Sequence, residues 1–224
     1  MISLLFDIDG TLLRAGGAGM KAVHQALEVM FGPVAAPEIR VHGRTDHGIM
    51  TDVFDGVGED YQSHRKTFDE LYWQLLPAEL KTSGGELLPG VTTLLDRLAE
   101  DSGVAVGILT GNAKRAAESK LSHYGIEHYF HFGGYGDDHS NRDDVAAQAV
   151  ANARLVNGEM FRDQQVWVIG DTVNDISCAR AVGAKAIAVE TGGGTPDELA
   201  KAAPDLQMSD LTDVESFLSA IRSF

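Results

Sequence analysis

The sequence predicts an α/β fold, a doubly wound parallel sheet with a small all-helical block inserted near its start. Three observations carry that prediction. Short apolar runs end abruptly in polar residues: Ile2 to Leu5 before Asp7, Val104 to Leu109 before Thr110, and Val166 to Ile169 before Asp171. Unbroken apolar runs of this length mark strands buried on both faces. Helix-periodic segments separate the later runs, which is how a chain returns to start the next parallel strand. Between Gly16 and Leu80 nothing alternates like a strand, and glycine-rich stretches, 14–19 and 82–85, bracket that block.

In chain order, Val23, Ala26, Leu27 and Met30 form one apolar stripe of a helix from Met20, closed by Gly32-Pro33. Ile49, Met50, Val53 and Phe54 predict a second helix, with Thr45-Asp46 as its cap. Phe68, Leu71, Tyr72, Leu75 and Leu76 predict a third, ended by Pro77. These helices form an inserted block over residues 15–86, and residues 1–14 with 87–224 form the α/β core. In the core, helices are expected over 113–124, 144–156 and 174–182, a short edge strand over 129–132, and a last strand over 186–189 before Gly192-Gly193-Gly194.

The chain has 224 residues, 44% of them hydrophobic, enough for a real core. Its net charge of −15 repels nucleic acid and anionic membranes, so neither is an expected partner. A phosphorylated ligand would need its own local positive charge. The single cysteine, Cys178, excludes an internal disulfide and reads as a packed helical thiol. The first apolar run reaches Asp7 too early for a signal peptide, and no stretch approaches the ~20 apolar residues of a membrane span. A cytoplasmic protein is expected, as a monomer or a homodimer.

The strand ends deliver the chemistry. Asp7 and Asp9 alternate along an extended chain, so their carboxylates share a side a few ångströms apart. Acids so close imply a cation, acid/base chemistry, or both, where a plain acidic turn would leave them solvated. Gly10 lets the chain swing away beside a ligand, and Thr11 offers a hydroxyl and an N–H. Thr110-Gly111-Asn112 either cradles an anion or caps a helix. Asp171 and Asp175 stand four apart at a helix start, either as metal ligands or as a cap and a solvated acid. With Asp7 they offer the hard oxygen ligands that Mg²⁺ requires.

Asp7-x-Asp9-Gly10-Thr11, Leu109-Thr110-Gly111-Asn112 and Gly170-Asp171-x-x-x-Asp175 together resemble three motifs of the haloacid dehalogenase superfamily, in its order. That family has a Rossmann-like core, and the insertion after the first motif is similar to its helical type 1 cap, as in phosphoglycolate phosphatases. The resemblance implies a Mg²⁺-dependent phosphatase acting on a small phosphorylated metabolite. Asp7 would be the nucleophile that becomes a phospho-aspartate, and Asp9 the general acid and then base. Asp171 would be a metal ligand, with Asp175 in or beside the metal's shell. Asp9 would reach the metal through its backbone carbonyl.

A further basic residue, commonly Lys before Pro, is also implied, and the sequence departs from that form. Arg142 stands near the expected place and can bridge carboxylate and phosphate; its other reading is a solvated Arg beside Asp143 and Asp144. Lys114 and Lys120 rank below it, lying along the preceding helix. Arg44 and His47 are expected to read an anionic or hydroxylated leaving group, or else to decorate an exposed helix start. A phosphomutase or a pyrophosphatase would share these acids. A non-catalytic phosphate-binding module would not need them all.

Overall fold

The computed structural model describes the chain apart from residues 35, 36, 38 and 224 and the side chain of Gln164. In chain order the elements are β1 (Ile2–Phe6), β2 (Leu13–Arg14), α1 (Ala18–Phe31), α2 (Asp46–Val57), α3 (Tyr61–Thr82), β3 (Glu86–Leu87), α4 (Val91–Ala99), β4 (Val104–Leu109), α5 (Lys114–His123), β5 (Gly133–Gly134), α6 (Arg142–Asn157), β6 (Val166–Gly170), α7 (Val173–Ala181), β7 (Lys185–Val189), α8 (Pro196–Lys201), β8 (Leu206–Met208) and α9 (Val214–Arg222). Six strands make one sheet in the order β5-β4-β1-β6-β7-β8, every pairing parallel. No helix of the described residues is long and apolar enough to cross a membrane.

Alternate residues of each strand feed opposite faces, which is why the strands read as unbroken apolar runs. Leu4, Phe6, Ile108 and Ile169 pack on the side of α4 and α9, against Leu94, Leu98, Phe217 and Ile221. Leu5, Leu109 and Val168 pack on the side of α6 and α7, against Ala146, Ala149, Ala153 and Ile176. The small side chains let α6 lie close: a Cβ on Gly134 would meet Val145 O at 2.3 Å.

The sheet order places the site. From β1 the chain builds outward through β4 and β5, then crosses back to build β6, β7 and β8 on the other side. The strand order therefore reverses at β1, beside β4 and β6, and a crevice opens outside their carboxyl ends.

Three expectations are corrected, and one pairing is added to them. The edge strand is Gly133–Gly134, preceded by a 3-10 turn at Glu127–Tyr129; the backbone of 131–132 only leads into it, Phe132 O accepting from Ile108 N at 2.9 Å. Helix α3 does not stop at Pro77 but runs through it to Thr82, anchored on either side by buried Leu76 and Leu80. The sheet does not end at 189 but continues to β8. Finally, β2 and β3 pair antiparallel, Leu13 with Leu87 and Arg14 with Glu86. The two expected boundaries of the helical block thus fall on one ribbon.

Phe6 is fully buried and stacks on Phe217 with ring centroids 6.2 Å apart. Phe6→Ala should destabilise the fold by about 3–5 kcal/mol in urea unfolding, whereas Val29→Ala, at a position 66% exposed, should change stability by under about 0.5 kcal/mol. Comparable losses from both would contradict this core.

Candidate active site

The chain leaves β1 still paired: Asp7 N donates to Ile169 O at 2.9 Å, which holds the Asp7 backbone in register with β6. It then turns sharply. Leu12 N and Leu13 N both donate to Ile8 O, and Gly10 takes φ +89°, a left-handed conformation that glycine adopts without strain. Gly10 is also required by space, since a Cβ there would lie 2.5 Å from Asp171 Oδ2.

Asp7, Asp171 and Asp175 are all buried, and each offers one oxygen such that the three lie within 4.8 Å of one another. Burial, then the charges of Asp175 and Asp7, push the Asp171 carboxyl up to about 8. Burial pushes Asp7 up to about 6, against the opposing pull of Arg142. Asp171 is held by Gly193 N, which donates to its Oδ2 at 2.5 Å, and by Thr11 Oγ, which donates to its Oδ1 at 3.3 Å.

Asp175 is not the solvated acid of the alternative reading, because it is buried and both its oxygens have partners. Its Oδ2 accepts from Thr172 N at 2.9 Å and from the Thr172 hydroxyl at 2.7 Å, closing the first turn of α7. Its Oδ1 accepts from the Arg142 guanidinium. Arg142 is not a solvated residue: it is buried at the first position of α6 and also stands 3.5 Å from Asp7 Oδ1. One fixed positive charge faces three buried acids.

Thr110 and Asn112 follow β4. Asn112 Nδ2 donates to Thr110 Oγ and to Asp9 Oδ2, both at 2.8 Å. Gly111 serves the helical block, because a Cβ there would lie 1.9 Å from Arg44 O and its own carbonyl accepts from Asp46 N at 2.6 Å.

Lys120 is the residue that the sequence reading ranked too low. Its ammonium is buried, and it donates to Asp9 Oδ2 at 2.5 Å and to Asn112 Oδ1 at 2.6 Å. Ala116, Ala117 and Leu121 are also buried along α5, so this face of the helix points inward and carries Lys120 with it. The signal was a lysine on an inward-facing stripe.

Asp46 was also missed as a site residue. Its Oδ2 accepts from Ala113 N at 2.8 Å, and burial pushes its carboxyl up to about 6, against Lys120 and that N–H. Thr191 and Gly192 complete the rim, the Thr191 hydroxyl donating to Gly10 O at 2.6 Å.

Asp7, Asp9, Thr110, Asn112, Lys120 and Arg142 bound the sheet side of one cavity of about 500 Å³. Arg44 borders it, but its guanidinium is paired with Asp52 at 2.7 Å and donates to Gly48 O at 3.1 Å. Arg44 thus reaches the cavity wall, as expected of a leaving-group contact, with its guanidinium in a half-exposed ion pair to Asp52 of α2. His47 does not border this cavity. It packs against Tyr61, ring centroids 5.7 Å apart, in a smaller cavity with Arg65 and Asp69.

Acids at the carboxyl ends of two parallel strands, an amide and hydroxyl at a third, and two buried cations define a hydrolase-type site on a doubly wound sheet. Residues 4–189 match the family model described as haloacid dehalogenase-like hydrolase, and the chain belongs to that family.

Among its relatives, a phosphoglycolate phosphatase of Photorhabdus laumondii is 27% identical over 222 residues, spanning 96% of this chain and 91% of its own. The tyrosine-protein kinase PtkA of Mycobacterium tuberculosis is 26% identical over 207 residues, 88% of this chain and 65% of its own. The crystal structure of a hydrolase from Pseudomonas syringae superposes with a TM-score of 0.72 at 22% identity, covering 100% of both chains, a likeness of fold.

A Cβ on Gly192 would lie 1.9 Å from Asp171 Oδ2. Gly192→Ala should therefore cost about 1–3 kcal/mol in denaturant unfolding, because either the loop or the carboxylate must shift. A change within about 0.5 kcal/mol would show that the loop does not press on Asp171.

Proposed function

We propose that this chain is a Mg²⁺-dependent phosphatase that transfers the phosphoryl group of a small phosphomonoester to Asp7 and then to water. The observation that carries the reading is the buried cluster of Asp7, Asp171 and Asp175 at the strand-order reversal, with Asp9 beside it. The phosphatase names among its relatives support the class. We also propose that residues 15–86 form a cap over a core of 1–14 and 87–224, in a cytoplasmic enzyme.

The cluster fits a divalent cation. Three buried carboxylates against one guanidinium leave an excess of negative charge that raised proton affinity alone would otherwise have to relieve. All donors are oxygen, which suits Mg²⁺ better than a soft metal. Asp7 and Asp171, with the Asp9 carbonyl, would hold the ion, and Asp175 supports them while its own oxygens serve Thr172 and Arg142. When bound, Mg²⁺ supplies charge neutralisation between the entering phosphate and the carboxylates.

The chain's own groups do the rest. Phosphoryl transfer asks mainly for positioning and charge compensation, so a fixed carboxylate suffices as nucleophile. Arg142 orients Asp7 from one side and presents a second cation to the phosphate. Thr110, Asn112 and the backbone at Gly10 and Thr11 surround the phosphoryl position. Both Asn112 and Lys120 grip Asp9 at Oδ2, which turns Oδ1 to the task of giving a proton to the leaving oxygen and later taking one from water.

Asp7→Asn should lower phosphate release by at least about 10³-fold on any substrate, with the fold retained. Activity within tenfold of the parent would remove Asp7 as nucleophile.

The raised Asp7 and Asp171 carboxyls bind protons more tightly folded than unfolded. In metal-free protein they stabilise the fold fully below about pH 4, and that contribution is lost as pH rises through about 6 and about 8. Mg²⁺ replaces those protons. The rise in melting temperature on adding Mg²⁺ to chelator-treated protein should therefore be larger at about pH 8 than at about pH 5. An equal rise at both would contradict binding at these acids.

A further inference from the structure

The wall of the cavity facing the acids is hydrocarbon. Helices α1 to α3 and the loop before α2 supply Met20, Val23, Val41, Ile49, Met50 and Tyr72. Val23, Ile49, Met50 and Tyr72 are buried, and burial holds Tyr72 as the neutral phenol. A cavity of about 500 Å³ is within the usual range for an organic ligand and leaves ample room beyond a phosphoryl group.

The charges around it are already committed. Arg44 is paired with Asp52, and Lys120 is shared between Asp9 and Asn112. Arg14 and His42 are exposed to solvent, and Arg14 is engaged by Thr191 O at 2.7 Å and by Glu86. Asp46 adds a carboxylate beside Lys120, so a second anion deep in the cavity would meet two acids and one cation. A buried carboxylate without a partner of opposite charge is strongly disfavoured, whereas an apolar group there gains by leaving water.

We propose that the substrate is a phosphomonoester whose leaving alcohol is uncharged and predominantly hydrocarbon, seated against Met20, Val23, Val41, Ile49, Met50 and Tyr72. This deepens the reading above and rests on it. The sheet edge handles only the phosphoryl group, so selectivity lies in these six side chains. The carboxylate of phosphoglycolate would have to displace an acidic partner from Arg44, Arg14 or Lys120 to gain a cation.

The test compares methyl phosphate, 2-phosphoglycolate and benzyl phosphate, all alkyl esters, with Mg²⁺ present. Benzyl phosphate should exceed 2-phosphoglycolate in kcat/KM by about 100-fold, the scale on which an apolar pocket discriminates. Met50→Lys, which puts a cation in the wall, should narrow that ratio at least about tenfold by favouring 2-phosphoglycolate. Val23→Lys serves the same purpose if Met50→Lys melts at the assay temperature.

A parent enzyme that turns over 2-phosphoglycolate as well as or better than benzyl phosphate overturns the inference. So does a ratio unmoved in both variants. Hydrolysis of methyl phosphate without that of benzyl phosphate sinks this inference alone. Absence of Asp7-dependent phosphate release from all three esters sinks the phosphatase reading with it.

Discussion

Mutual repulsion among Asp7, Asp171 and Asp175 is the constraint to which the rest of the site answers. Three carboxylates removed from water and held within 4.8 Å of one another would drive the strand ends apart or take up protons. The fold resists both with short-range devices. Arg142 enters at the first turn of α6, Gly193 N and Thr11 hold Asp171, and the first turn of α7 locks Asp175 through Thr172. Glycines at 10 and 192 make room, because any side chain there would occupy the space of the Asp171 carboxylate.

That cluster forms only because the sheet reverses its strand order at β1. Residues more than 160 positions apart, Asp7 and Asp171, become neighbours through one parallel ladder in which Phe6 faces Ile169. Stability and chemistry are thus divided along each strand. The buried alternating residues bind helices to both faces, and the residue just past the last rung is released into the crevice. A polar pocket floor and an apolar roof follow from the same arrangement, since the floor is made of strand ends and the roof of amphipathic helix stripes.

Much of this was legible because it depends on local pattern. Apolar runs ending in Asp7, Thr110 and Asp171 located the strands and their working ends, and glycine with capping residues located Thr45 and Gly32 as helix boundaries. What escaped depends on the direction of a side chain or on pairing too short to leave a pattern. Lys120 resembled any solvated helix lysine until the buried face of α5 was known. The ribbon of β2 and β3 has two residues a side, and β8 only three. Pro77 signals a helix end by local chemistry alone, yet the packing of α3 carries the helix through it. Arg44 stands at the right place in the chain, and its pairing with Asp52 of α2 is a contact that no local pattern announces.

Reductive trapping tests the central claim most directly. Protein mixed with a turned-over phosphomonoester and quenched in borohydride should yield a peptide in which Asp7 has become homoserine, the product of reducing an acyl phosphate at that side chain. The Asp7→Asn protein should give none. Conversion at another acid, or no conversion under conditions where phosphate is being released, would contradict phosphoryl transfer to Asp7.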